Sequence, residues 1–166
     1  KQVLELPDVP EPPSVSDSIP ATSLQGIVLD DKAAKLTGDW SRSTNFKPYI
    51  EHGYIFNGEK GSKLKGDGKS TATFRFKVPK SGDYDLSMAY SAHPTRAANV
   101  PVTVTSGGKT KEFIVDQTKA PRNGQRFRSL GVVELQSRDE ITITMNNRGT
   151  TGFVIVDAFR LLPIKQ

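Results

Sequence analysis

The 166-residue chain contains no cysteine, which excludes a disulfide framework, cysteine-ligated zinc and a thiol nucleophile. Its two histidines, His52 and His93, are too few for a three-histidine metal centre. No apolar run approaches the ~18 residues of a membrane span, and no segment repeats apolar residues at helical spacing. There is no G-x-S-x-G, and both histidines fall in loop-like stretches, so a Ser-His-Asp arrangement has no base in place. The adjacent acids Asp30-Asp31 and Asp139-Glu140 read as solvating charge at strand ends, and no pair of carboxylates is singled out for glycoside hydrolysis. The glycine-rich stretch 58–63 lacks Walker spacing and its strand–helix context. These absences point away from an enzyme. The chain starts at Lys1 with neither methionine nor a signal peptide, which reads as a processed or excised piece.

Glycine and proline are plentiful, with 14 and 11 residues. Pro7, Pro10, Pro12, Pro13 and Pro20 crowd the first 20 positions among serines, so residues 1–24 read as an extended linker or an arm laid on the domain surface. Residues 25–166 then form one domain, long enough to bury roughly two-thirds of its unfolded surface. Lys1 against Glu5, Asp8, Glu11 and Asp17 gives the arm a net −3. The remaining 142 residues hold 22 basic and 14 acidic side chains, a net +8 that the whole-chain +5 conceals. That balance suits an acidic partner or serves as ordinary solubilising charge.

Alternation dominates from residue 70 onward. Ala72, Phe74, Phe76 and Val78 share one face of a strand, with Thr71, Thr73, Arg75 and Lys77 on the other. Tyr84, Leu86, Met88 and Tyr90 alternate with polar residues in the next strand, and the intervening 79–82 turn predicts a hairpin. Further strands are expected over 26–31, 54–57, 100–105, 109–117, 127–135 and 139–146. The continuous apolar run 153–156 predicts a central strand covered on both faces. Eight to ten short strands with regular turn signals predict an all-β antiparallel sandwich of jelly-roll type.

Two loops concentrate recognition chemistry. Residues 91–99 carry His93, Arg96 and Asn99 beside Tyr90, and 118–128 carry Lys119, Arg122, Asn123, Gln125, Arg126 and Arg128 around Phe127. An aromatic face covers the C–H surface of a pyranose, while amide and guanidinium groups bond vicinal hydroxyls or a carboxylate. Tyr90, His93, Arg96, Asn99, Arg122 and Arg126 are therefore the candidate ligand contacts. Arg96 and Asn99 serve equally well in the alternative role of satisfying loop carbonyls. No recognition helix or aromatic ribonucleoprotein motif supports nucleic-acid binding. Asp30, Asp31 and Asp157 are weak candidates for a structural calcium, and no other cofactor is expected.

The ordered set Gly26-Ile-Val-Leu-Asp-Asp, Leu36-Thr-Gly-Asp-Trp40, Gly53-Tyr54, Phe76-Lys-Val-Pro79-Lys-Ser-Gly82-Asp-Tyr84, Arg96-Ala-Ala-Asn99-Val-Pro101, Gln117, Leu130-Gly131 and Val156-Asp157-Ala158-Phe159-Arg160 resembles the golvesin / xanthan-lyase C-terminal domain family over about 26–163. A similar unit forms the tail of secreted bacterial proteins resembling FAD-dependent oxidoreductases. The resemblance implies a non-catalytic carbohydrate-binding module that tethers a secreted, periplasmic or cell-surface enzyme to a polysaccharide, with the parent catalytic domain in the same chain. It also implies folding roles for some matched residues: Tyr84 and Trp40 as core aromatics, Gly131 for backbone conformation, Asp157 for a loop hydrogen bond. Where relatives carry an aromatic shortly before the Leu-Gly, this chain has Phe127 between Arg126 and Arg128, which tilts the expected ligand toward an acidic glycan. The competing expectation is a structural or docking domain with no glycan affinity.

Overall fold

The computed structural model describes residues 16–59 and 64–165. Among these residues the strands run in the order β1 (Ser18–Ile19), β2 (Ile27–Asp30), β3 (Lys35–Thr37), β4 (Ser41–Ser43), β5 (Tyr49–Ile50), β6 (Tyr54–Asn57), β7 (Thr71–Phe76), β8 (Gly82–Ala89), β9 (Val100–Ser106), β10 (Lys109–Val115), β11 (Phe127–Leu135), β12 (Ile141–Asn146), β13 (Val154–Val156) and β14 (Ala158–Pro163). The helical content is three short 3-10 turns. No helix among the described residues is long and apolar enough to cross a membrane.

Two antiparallel sheets make the sandwich, one ordered β10-β9-β12-β7-β3 and the other β11-β8-β14-β2. Alternation decides which side chains meet between them. Ala72 and Phe74 of β7, Val102 and Val104 of β9, and Ile143 and Met145 of β12 are buried from one sheet. Leu86 and Met88 of β8 with Phe159 and Leu161 of β14 are buried from the other, and all join one core. Phe74 and Phe159 meet edge to face across the layers, with centroids 5.3 Å apart.

The expected hairpin between 70–78 and 83–91 does not form. β7 pairs with β12 and β3, whereas β8 pairs with β11 and β14. The Pro79–Gly82 turn instead carries the chain from one sheet to the other, because both strands bury their apolar faces in the same core. The apolar run 153–156 is also placed differently from expectation. β13 is wholly buried, yet it lies at the end of a three-stranded sheet β13-β6-β4 rather than at a centre. Its free edge is closed by a side chain: Gln117 Nε2 donates to the Ile155 carbonyl and Gln117 Oε1 accepts from the Ile155 N–H, each at 2.8 Å. Gln117 is itself fully buried, so one amide does the work of a neighbouring strand.

The matched folding residues occupy structural roles. Tyr84 is buried with its hydroxyl donating to the Lys80 carbonyl. Trp40 packs half-buried on the core and donates Nε1 to the Thr37 and Thr71 carbonyls at 3.0 and 3.1 Å. Gly131 follows a register shift in β11 and has φ +147°; a Cβ there would lie 3.0 Å from the Phe113 ring.

The arm reading falls, over residues 1–15, outside the described residues. Residues 16–24 lie on the domain. β1 pairs in parallel with β5, Ile19, Ala21 and Leu24 pack on Ile50, Phe127 and Ala158, and Glu51 accepts from the Ala21 N–H at 2.5 Å.

Candidate functional site

A cleft of about 510 Å³ opens over the three-stranded sheet. Ser43, Tyr54, Phe56 and Ile155 come from β4, β6 and β13, while Asn45-Phe46 and the 93–96 segment form its flanks. Backbone bonds hold the flank in place: Ala97 N–H donates to the Phe153 carbonyl at 2.8 Å and Phe153 N–H donates to the Thr95 carbonyl at 3.0 Å. Gly152 permits this approach, since a Cβ at its φ of +102° would stand 2.7 Å from the Thr95 carbonyl oxygen.

Arg96 is the keystone of the cleft wall. It is only 7% exposed, and burial pushes its guanidinium below the usual arginine range. Nε donates to the Ser91 carbonyl at 3.0 Å, Nη2 to Ser91 Oγ and Nη1 to Thr95 Oγ1, both at 3.2 Å. Its guanidinium carbon lies 4.6 Å from the centroid of Phe46, a cation–π distance that braces a ring left 40% exposed. His93 meets the same ring edge-on at 5.7 Å. Thr95 directs both its N–H (3.2 Å) and its hydroxyl (2.8 Å) at His93 Nδ1. An acceptor at Nδ1 places the neutral ring's proton on Nε2, a donor with no partner among the described residues. Arg42 adds a half-exposed guanidinium whose Nη1 lies 2.8 Å from Asp31 Oδ2. The cleft thus offers a rigid exposed aromatic bordered by amide, imidazole and guanidinium donors.

The six expected ligand contacts separate. His93 and Arg96 line the cleft. Arg122 lines a second depression of about 540 Å³ with Lys119, Gln125, Phe127, Arg128 and Ser129, and the two hollows share no residue. Tyr90 is corrected: it is 1% exposed, its hydroxyl donates to the Lys119 carbonyl at 2.7 Å, and no face remains for stacking. Asn99 is exposed but lines neither hollow, and its Nδ2 donates to the Gly149 carbonyl at 3.1 Å, the carbonyl-satisfying role. Arg126 is likewise structural, with Nη2 donating to Asp157 Oδ2 at 3.2 Å. Phe127 is buried, with the Arg160 guanidinium 4.3 Å over its ring. A single site spanning 91–99 and 118–128 is therefore not what the fold builds. The residues that sequence reasoning missed are Arg42, Asn45, Phe46, Phe56 and Phe153. The available signal was an aromatic beside an asparagine in the irregular 45–69 stretch, far in sequence from the loops that it joins.

Asp30, Asp31 and Asp157 do gather at one end of the sandwich, where the Asp31 N–H donates to the Asp157 carbonyl at 3.0 Å. Burial, reinforced by the Asp30 charge and partly offset by Arg42, raises Asp31 to about 7. Burial also raises Asp157 to about 7, against the Ile50 N–H and Arg126. The donor set does not fit a calcium ion. Arg42 and Arg126 already bring positive charge to the two buried carboxylates, and both Asp157 oxygens accept from the Ile50 N–H. Among the described residues no group of three or more His, Asp or Glu side chains is arranged to hold a metal ion.

The xanthan lyase of Paenibacillus contains a region that superposes with a TM-score of 0.71 at 29% identity, covering 83% of this chain and 13% of that enzyme. The present chain thus spans about an eighth of that protein's length. A mannanase of Podospora anserina carrying a family 35 carbohydrate-binding module superposes at 0.58 with 23% identity, over 85% of this chain and 28% of that one. A family 35 carbohydrate-binding module of Clostridium thermocellum superposes at 0.55 with 18% identity, over 85% of this chain and 100% of that one. No curated protein sequence matches. The profile of the golvesin C-terminal domain matches residues 27–163, nearly the whole described sandwich from β2 to β14, and the chain belongs to that family.

Proposed function

We propose that this domain is a non-catalytic carbohydrate-binding module whose saccharide lies in the cleft of Phe46, His93 and Arg96. The observation that carries the reading is Phe46, 40% exposed and braced by Arg96, with His93 Nε2–H and the Asn45 amide at its border. An apolar plane for sugar C–H groups beside fixed donors for hydroxyls is the chemistry of saccharide recognition. The β-sandwich likeness to family 35 modules and to part of a xanthan lyase supports it. The net +8 of residues 25–166 favours an acidic polysaccharide. In this reading the domain is appended to a polysaccharide-active enzyme outside the cytoplasm. It raises that enzyme's local concentration at its substrate by tethering.

The test is affinity electrophoresis and calorimetry with neutral mannan, xylan and β-glucan and with acidic polysaccharides. Binding weakened about tenfold in Phe46→Ala, with folding retained, is the expected result. Failure of wild type to bind any of them at millimolar saccharide overturns the reading and favours a docking domain.

A further inference from the structure

The second depression has a chemistry distinct from the cleft. Its lining includes Lys119, Arg122 and Arg128 and no carboxylate. Gln125 and Ser129 are its uncharged polar members. We infer that this depression is a separate site for an oxyanion carried on a glycan, a uronate carboxylate or a sulfate ester. The inference rests on the saccharide reading above and assigns acidic selectivity to a place outside the Phe46 cleft.

Arg128 anchors the site and is held before any ligand arrives. Its Nη1 donates to the Asp116 carbonyl at 2.9 Å and to the Tyr90 hydroxyl at 3.2 Å, and Tyr90 is wholly buried. Nε and Nη2 of Arg128 have no partner among the described residues, so a fork remains for an oxyanion. Arg122 is exposed, and its guanidinium is without a partner among the described residues. Two acids border the hollow and both are turned to other work: Asp85 accepts from the Ser129 hydroxyl. Asp116 accepts from the Thr118 hydroxyl at 2.5 Å and from the Thr118 N–H at 3.0 Å, and those bonds hold it below the usual carboxylate range. It lies 3.8 Å from Lys119 Nζ, a loose pair on a lysine side chain 75% exposed, which leaves that ammonium free to turn to a ligand. Buried Tyr90, expected from sequence to stack on a sugar, instead ties the loop together through Lys119 and Arg128.

The experiment compares wild type, Arg122→Ala, Lys119→Ala/Arg122→Ala and Phe46→Ala by calorimetry. The probes are mannohexaose, oligogalacturonate and a sulfated galactan oligosaccharide at two salt concentrations. Both mutated cations are exposed, so folding is preserved. The expected result is a preference of wild type for an acidic probe over the neutral one. The double variant then loses about tenfold or more of acidic affinity, shows a flatter salt dependence, and keeps its neutral affinity. A gain with oligogalacturonate alone, or with both acidic probes, supports the site and defines its oxyanion. Neutral binding without acidic preference, or acidic preference intact in the double variant, overturns the oxyanion site and leaves the saccharide reading standing. Binding of no probe overturns both.

Discussion

Replacing Arg126 by alanine separates a structural role from ligand binding, because the result depends on pH in a calculable way. In the folded chain Asp157 is 1% exposed and raised to about 7 by burial, against the Ile50 N–H and Arg126. In the unfolded chain it titrates near 3.8. Between those values the folded state keeps a proton that the unfolded state has released. Stability from this group is therefore fully present at low pH and is lost as pH rises from about 4 to about 7. The interval corresponds to at most about 4 kcal/mol. Arg126 limits that loss by pairing with the ionised form. At pH 5 the carboxyl is neutral, and Arg126→Ala removes one hydrogen bond, about 1 kcal/mol. At pH 8 the wild-type carboxyl is mostly ionised against Arg126, whereas the variant's carboxyl must hold its proton or stay unpaired, so the cost rises by up to about 1.4 kcal/mol, to about 2 kcal/mol. Asp31 also titrates near 7, but it does so in both proteins and cancels to first order in the difference. Urea unfolding followed by the fluorescence of the single tryptophan, Trp40, measures both values. A penalty equal at pH 5 and pH 8 refutes the assignment. So does an unchanged midpoint accompanied by lost glycan affinity.

Phe46→Ala is expected to weaken glycan binding about tenfold while shifting unfolding by less than about 1 kcal/mol, measured by calorimetry and urea titration on the same samples. Gln117→Ala strands both the Ile155 N–H and carbonyl. Its expected cost is about 2–4 kcal/mol, with faster hydrogen exchange at Ile155 as the local sign. Gly152→Ala forces a Cβ to 2.7 Å from the Thr95 carbonyl at φ +102°, so loss of more than about 2 kcal/mol is expected in thermal melts. Because Arg42 and Arg126 already accompany the buried carboxylates, millimolar calcium and EDTA are expected to give the same Tm; a clear rise with calcium contradicts that reading.

Much of the sandwich was legible because burial imposes a period of two. The alternation in 71–76, 100–106 and 141–146 names the inward residues, and each inward position of β9 and β12 is buried. Partnership was less legible. Pro79-Lys80-Ser81-Gly82 reads equally as a hairpin turn or a crossover, since both need a reversal without a donor at proline. What separates them is which strand supplies the neighbouring ladder, and here β12 and β11 do so from far downstream in the chain. The same limit hid the edge of β13. An apolar run announces burial, but a lone glutamine, Gln117, gives no sign that its amide will stand in for a strand.

The site was legible in kind and not in address. Aromatic, guanidinium and amide groups are indeed adjacent to one another, but a guanidinium in a sequence carries no mark of whether a buried carboxylate or open solvent awaits it. Arg96, Arg122 and Arg126 look interchangeable as letters. Arg126 ends on Asp157, Arg96 on the Ser91 carbonyl and the Phe46 ring, and Arg122 on neither. The difference follows from what each loop is tied to. Residues 93–97 are bonded to 153, which places Arg96 beside the aromatic cleft. β11 begins at Phe127, packed among Ile50, Ala89 and Ala158, which brings the preceding Arg126 to the buried acid and leaves Arg122 exposed. The basic excess read from composition is therefore three things at once: a brace, a counter-charge and an open cationic hollow, and only the last is available to a polyanion at little structural cost.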